Sequence, residues 1–155
     1  MAPRPLRITW VLRAQLAIGP APRDREHLQQ LQAHGVRGVL SLCRPGEVME
    51  LPELGQWFET RCTPLPDHRS ERPPTAEELE RALAALEALL EAGPVYVHCL
   101  ASMERSPLLC MAWLIRHHRL SRLEALDYLM QVHPGTSPLP EQLALLPFDP
   151  NTSLA

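Results

Sequence analysis

The chain has 155 residues, 45% of them apolar and 21% charged, with a formal net charge of −3. That is apolar material enough for one core and a single domain over residues 1–155. The balance argues against nucleic-acid or membrane-surface partners, which select a basic surface, and no apolar run approaches the roughly 20 residues needed to span a bilayer.

In chain order, Arg7 to Gly19 reads as two short strands joined by a turn, and Pro20 and Pro22 then break the chain. Asp24 to His34 carries Leu28 and Leu31 on one stripe and predicts an amphipathic helix ended by Gly35. Val36 to Cys43 reads as a buried strand followed by a Pro45-Gly46 turn. A short helical piece is expected around Glu50 to Phe58 and a strand over Cys62 to Leu65. Residues 66–74 are too polar and proline-rich for core. Thr75 and Glu78 form a capping box for a long helix with Leu79, Leu83, Leu86 and Leu90 on one face, ending at Gly93. A strand follows over Val95 to His98, then a loop and a helix over Pro107 to His118 that is apolar nearly all round. Ser121 and Glu124 open another capped helix running to about Val132, and Pro138 to Leu146 has room for a further turn. Strands alternating with helices predict an α/β fold, with a mostly parallel central sheet covered by helices on both faces.

The chemistry concentrates in Val95-Tyr96-Val97-His98-Cys99-Leu100-Ala101-Ser102-Met103-Glu104-Arg105-Ser106-Pro107. A β-branched strand that stops at a cysteine and turns into Arg-Ser at a helix start builds a cup. Loop N–H groups and the positive end of the helix dipole converge there on a phosphate-sized anion. Arg105 closes the cup with a planar two-pronged donor. Helix N-termini and nearby cations push a cysteine in such a place towards thiolate, so Cys99 is expected to be a nucleophile aimed at phosphorus.

His-Cys-x5-Arg-Ser resembles the signature of the cysteine-dependent protein tyrosine phosphatases, and the short chain is similar to their dual-specificity branch, in its bacterial type. The resemblance implies that fold, and hydrolysis of phosphotyrosine, extending to phosphoserine and phosphothreonine, through a cysteinyl phosphate. It assigns Cys99 as nucleophile, Arg105 as phosphate clamp, Ser106 as the hydroxyl that eases departure of the thiolate, and Asp67, in Leu65-Pro66-Asp67, as general acid with Glu71 in reserve. His98, Leu100, Ala101, Ser102, Met103, Glu104 and Arg105 would line the substrate site, with His98 orienting the loop. Two departures stand out. Ser102 occupies a position usually given to glycine and is expected to shift the loop or lower the rate. Leu100, Met103 and Glu104 replace the lysines of phosphoinositide-specific members, which disfavours lipid phosphates.

Cys43 closes a strand as Ser41-Leu42-Cys43, a context similar to the resolving cysteine of the phosphatase-and-tensin lipid enzyme. Beside Cys99 it would trap the oxidised nucleophile as a disulfide; the plain alternative is a small buried hydrophobe. Cys62 and Cys110 read as core residues. The four cysteines lack close-paired metal spacing, and adjacent His117 and His118 point about 100° apart on a helix, so no metal or cofactor is expected. Arg44, Arg69 and Arg72 border the site or are solvated. With no signal-peptide-like apolar core at the N-terminus, a monomer with free thiols in the cytoplasm is expected, acting on a phosphorylated protein or peptide. Sulfur transfer or arsenate reduction on a related anion loop, which would not need Asp67, and a non-catalytic phosphoresidue-binding module, against which Cys99, Arg105 and Asp67 together argue, are the competing readings.

Overall fold

The structure, a computed structural model, describes residues 4–152 and residue 154. A five-stranded sheet of order β1-β2-β5-β3-β4 forms its middle layer, built from β1 (Thr9–Leu12), β2 (Leu16–Gly19), β3 (Gly38–Ser41), β4 (Glu59–Cys62) and β5 (Val95–His98). Only β1 runs antiparallel to its neighbour; β2, β5, β3 and β4 pair in parallel. Both faces are covered, which is why β2 and β5 read as continuous apolar runs and are buried along their whole length.

Strand alternation divides the core in two. Leu16, Ile18, Leu40, Val95 and Val97 face one way and pack with α3 (Ala76–Leu90), α4 (Arg105–His118) and α5 (Arg122–Val132). Ala17, Val39 and Tyr96 face the other way, against Leu28 and Leu31 of α1 (Arg25–Ala33) and the edges of α2 (Leu54–Trp57). Helix α4 is buried from Arg105 through Ile115 and turns polar only in its last turn, so its N-terminus is held rigidly in the core. A final single turn, α6 (Pro140–Leu143), follows.

Helix starts follow local chemistry. Asp24 accepts from the His27 N–H, and Thr75–Glu78 and Ser121–Glu124 form reciprocal capping boxes. Two boundaries near the site differ from the sequence expectation. Helix α4 begins two residues before Pro107, placing Arg105 and Ser106 in its first turn. Strand β4 lies at Glu59–Cys62, not at 62–65: it is an edge strand exposed along its length, so it carries no apolar alternation to reveal it. The chain nevertheless stays beside β3 beyond it, since the N–H groups of Thr63 and Leu65 donate to the carbonyls of Ser41 and Leu42. For the same reason Cys62 is exposed rather than part of the core, whereas Cys110 is fully buried. Among the described residues, no helix is long and apolar enough to cross a membrane.

Candidate active site

Strand β5 is flanked on both sides, and residues 99–104 carry the chain from its carboxyl end into α4. Open parallel sheets form their crevices at such strand ends. The N-cap of α4, Glu104, makes no capping hydrogen bond with its side chain, so the helix presents its first N–H groups uncapped beside Cys99.

Cys99 is the floor of a cavity of about 400 Å³, lined also by Asp67, His68, Arg69, Leu100, Ala101, Met103, Glu104, Arg105, Ser137 and Leu139. Its Sγ lies 3.1 Å from Ser106 Oγ, which in turn lies 3.1 Å from Ser102 Oγ. Ser102 adopts φ 61°, the left-handed region that glycine enters freely and other residues at a cost on the order of 1 kcal/mol. Serine is accommodated here in the glycine-like conformation: its hydroxyl joins the chain to Ser106, and its carbonyl accepts from His133 Nε2 at 2.7 Å. Its side chain therefore does not line the cavity, and its part in the loop is played by the backbone.

Arg105 is 2% exposed, and its charge is met by a residue the sequence reading passed over. Nη1 and Nη2 donate to the two carboxylate oxygens of Glu47, and Nη1 also reaches the carbonyls of Leu42 and Leu65 at 3.2 and 3.3 Å. Nε, buried, has no partner among the described residues. Glu47 thus takes the terminal edge of the guanidinium and leaves the Nε–Nη2 edge, a second two-pronged donor, unclaimed among the described residues. Burial alone would lower the Arg105 pKa; the hydrogen bonds it donates to Glu47, together with the charges of Cys99, Glu47 and Cys43, outweigh burial and raise it, while the same bonds hold the Glu47 carboxyl below its ordinary value against its own desolvation. Only the acidic residue after the Pro45-Gly46 turn was visible in sequence, with nothing to set it apart from Glu50 or Glu53.

Asp67, 5% exposed, shares the cavity with Cys99. Arg69 donates to it from Nε at 2.7 Å and from its backbone N–H at 3.1 Å, Ser70 Oγ lies at 3.3 Å, and the cations of Arg44 and Arg105 stand 3.6 and 3.9 Å away. Burial would raise its carboxyl, but Arg69 and then the Arg105 charge outweigh burial and hold it below the usual aspartate value. Glu71 does not line the Cys99 cavity; it lies on an adjoining hollow, with Arg72 and Glu141, that Asp67 and His68 also border. Arg44 and Arg69 stand at the site, while Arg72 is committed to Glu78 at 2.7 Å.

His98 lies outside the Cys99 cavity. Alternation along β5 turns it to the Tyr96 side, where its Nδ1 is 3.3 Å from the Cys99 carbonyl and 3.8 Å from Cys43 Sγ, and it lines a second hollow with Cys43 and Cys62. Burial pushes its pKa down to about 4, so at neutral pH it is an uncharged donor to the loop carbonyl rather than a substrate ligand. Cys43, also buried, is two residues beyond Ser41, which is in register with His98; burial and then the Glu47 charge raise its thiol to about 11. Among the described residues, no group of three His, Cys, Asp or Glu side chains is placed to hold a metal ion.

Losing the Glu47 carboxylate would leave a buried guanidinium unpaired. Glu47→Ala should therefore destabilise the fold by about 3–5 kcal/mol. Glu50→Ala, at an exposed position, should stay within about 0.5 kcal/mol of wild type. Denaturant midpoints at constant slope measure both, and equal effects would remove Glu47 from this role.

A family model described as dual specificity phosphatase, catalytic domain, matches residues 24–147. Mouse dual specificity protein phosphatase 2 is 30% identical over 114 residues, covering 72% of this chain and 33% of that protein. Human dual specificity protein phosphatase 5 is 30% identical over 96 residues, 56% of this chain and 25% of that one. The chain thus spans a third or less of the length of these relatives. Among solved structures, Tk-PTP in its active form superposes with a TM-score of 0.76 at 27% identity, covering 88% of this chain and 90% of that one.

Proposed function

Because the chain belongs to the dual specificity phosphatase catalytic-domain family, we propose that it hydrolyses phosphate monoesters on proteins, phosphotyrosine first and phosphoserine and phosphothreonine with it. One observation carries the reading: Cys99, Asp67 and Arg105, whose Nε has no partner among the described residues, line the same cavity. Sulfur transfer and arsenate reduction do not call for an acid there, and a binding module calls for neither acid nor thiol. The apolar flanks from Leu100, Met103 and Leu139 suit an aromatic ring behind the phosphate, and Arg69 at the rim suits an anionic ester. A reducing cytoplasm fits the cysteine usage.

Chemistry follows from the arrangement. Cys99 sulfur attacks phosphorus in line, the loop N–H groups and Arg105 hold the equatorial oxygens, and the ester P–O bond breaks as Asp67 gives its proton to the leaving oxygen. Asp67 must be protonated for this step, although its neighbours favour the carboxylate in the free site. The negative charge of a phosphate ester entering the cup works in the opposite sense and raises it. Water then attacks phosphorus, Asp67 takes its proton, the S–P bond breaks, and Ser106 donates a hydrogen bond to the departing sulfur.

Cys99→Ser should abolish turnover of aryl phosphates while keeping inorganic phosphate binding, because the loop and Arg105 survive. Asp67→Asn should slow esters with poor leaving groups by about 100-fold or more, slow activated esters much less, and remove the fall in rate as pH rises through the titration of the acid. Steady-state kinetics across a leaving-group series reads both. Retained turnover in Cys99→Ser overturns the nucleophile, and uniform slowing in Asp67→Asn overturns the acid.

We also propose a redox role for Cys43, supported by the register that sets the ends of β3 and β5 side by side. Hydrogen peroxide would oxidise the Cys99 thiolate to sulfenic acid with loss of hydroxide; Cys43 sulfur then attacks the sulfenic sulfur, forming the disulfide and releasing water. With the Cys43 thiol raised to about 11, disulfide formation should accelerate as pH rises from 7 to 9. Peptide mapping after peroxide should recover Cys43 joined to Cys99, and Cys43→Ser should over-oxidise and fail to recover with reductant. Recovery equal to wild type would leave Cys43 a packing residue.

A further inference from the structure

We propose that Glu104 is a positioning residue: it latches the loop that carries Asp67 to the loop that carries Cys99, and so sets the distance between the acid and the phosphate. The inference rests on the phosphatase reading above and adds to it the element that places the acid. Sequence reading made Glu104 a substrate-lining residue that helps to disfavour lipid phosphates. Its carboxylate is instead taken up by the protein. Oε1 accepts from the backbone N–H of His68 at 2.8 Å, Oε2 from His68 Nδ1 at 2.9 Å, and Oε1 again from Gln142 Nε2 at 3.3 Å. The side chain is only 14% exposed.

Three features give this contact its weight. His68 is the residue next to Asp67, so a bond to its N–H fixes the peptide plane that joins the two. Arg105 also holds the Leu65 carbonyl at the entry to this loop, two residues before Asp67, and the remaining links to the catalytic side involve side-chain ends: Arg69 on Glu47, and Arg44 and Arg105 on the Asp67 carboxylate. They depend on the charge of Asp67 or on half-exposed arginine tips, whereas Glu104 holds the loop backbone whether Asp67 is protonated or not. Finally, Glu104 directly precedes Arg105, and the chain there is rigid: α4 is buried behind it, Met103 carbonyl accepts from Ser137 N–H at 2.7 Å, and Gln142, 1% exposed, is fixed by the Leu139 N–H at 2.8 Å. One short stretch thereby registers the anion clamp and the acid against each other. Glutamate at this N-cap makes no capping bond, which leaves both oxygens for the latch.

The test is a leaving-group series of aryl phosphates on wild type, Glu104→Ala, Glu104→Gln, Asp67→Asn and the Asp67→Asn/Glu104→Ala double variant. Glu104→Ala should lower kcat with the poorest leaving groups by about tenfold to 100-fold, the scale of a misplaced catalytic group, and steepen the dependence on leaving-group pKa towards that of Asp67→Asn. Glu104→Gln should recover part of the loss, because its amide oxygen still accepts from the His68 N–H. In the Asp67→Asn background, adding Glu104→Ala should cost less than about twofold, since an absent acid cannot be misplaced. A wild-type leaving-group dependence in Glu104→Ala, or losses that multiply in the double variant, overturns the latch. Should Glu104→Ala not fold, the slope for Glu104→Gln decides: steeper than wild type supports the latch, and equal to wild type overturns it. Failure of the phosphatase reading itself shows separately, as wild-type turnover that survives Cys99→Ser or is absent.

Discussion

The buried pairing of Arg105 with Glu47 is the interaction on which the site depends. Arg105 stands in the first turn of α4, and its guanidinium meets Glu47 from the loop after β3, the Leu42 carbonyl at the end of β3 and the Leu65 carbonyl beyond β4. Three stretches distant in sequence, around residues 42–47, 65 and 105, are therefore joined at one planar group. A buried ion pair contributes little net stability compared with well-packed apolar side chains, because both charges lose their water. Its value here is geometric. The carboxylate fixes the plane and leaves the Nε–H without a partner among the described residues, oriented before any ligand arrives, which is what a preorganised electrostatic site requires.

The rest of the fold keeps that group and the thiol in register. Strand β5, flanked by β2 and β3, delivers Cys99; helix α4, buried through Ile115, cannot shift without disturbing the core. Between them the loop is held from behind by His98 at the Cys99 carbonyl, from one side by His133 at the Ser102 carbonyl and from another by Ser137 at the Met103 carbonyl. The hydroxyls of Ser102 and Ser106 then lead to the Cys99 sulfur. The left-handed backbone at Ser102 shows how a residue with a side chain can occupy a glycine-like place: its hydroxyl has a partner.

Much of this was legible in the sequence, and what was not had physical reasons. Caps, apolar stripes and the β-branched run into Cys99 are local signals, so α1, α3, α5, β5 and the loop that follows it could be read directly. Strand β4 could not be placed, because an exposed edge strand bears polar residues on both faces and only its hydrogen bonds to β3 define it. Glu47 and Gln142 were invisible as site residues for a related reason: each is an ordinary polar residue whose partners lie far along the chain, and only the tertiary fold brings them to Arg105 and Glu104. His98 adjoins Cys99 in sequence yet points to the opposite face of the sheet, so adjacency misassigned it to the substrate side.

The most direct test of the account is the Nε–H of Arg105, observed by NMR in protein with nitrogen-15 arginine while inorganic phosphate is added. A buried, otherwise unpartnered N–H should give a resolved resonance that moves downfield as phosphate binds, saturating at the same concentration as the loop amides of residues 100–104. Arg105→Lys should lose the resonance and bind phosphate more weakly, since an ammonium has no fork. Phosphate that shifts the loop amides and leaves the Arg105 Nε–H where it stood would contradict the account, because the free edge of the guanidinium would then not be the phosphate clamp.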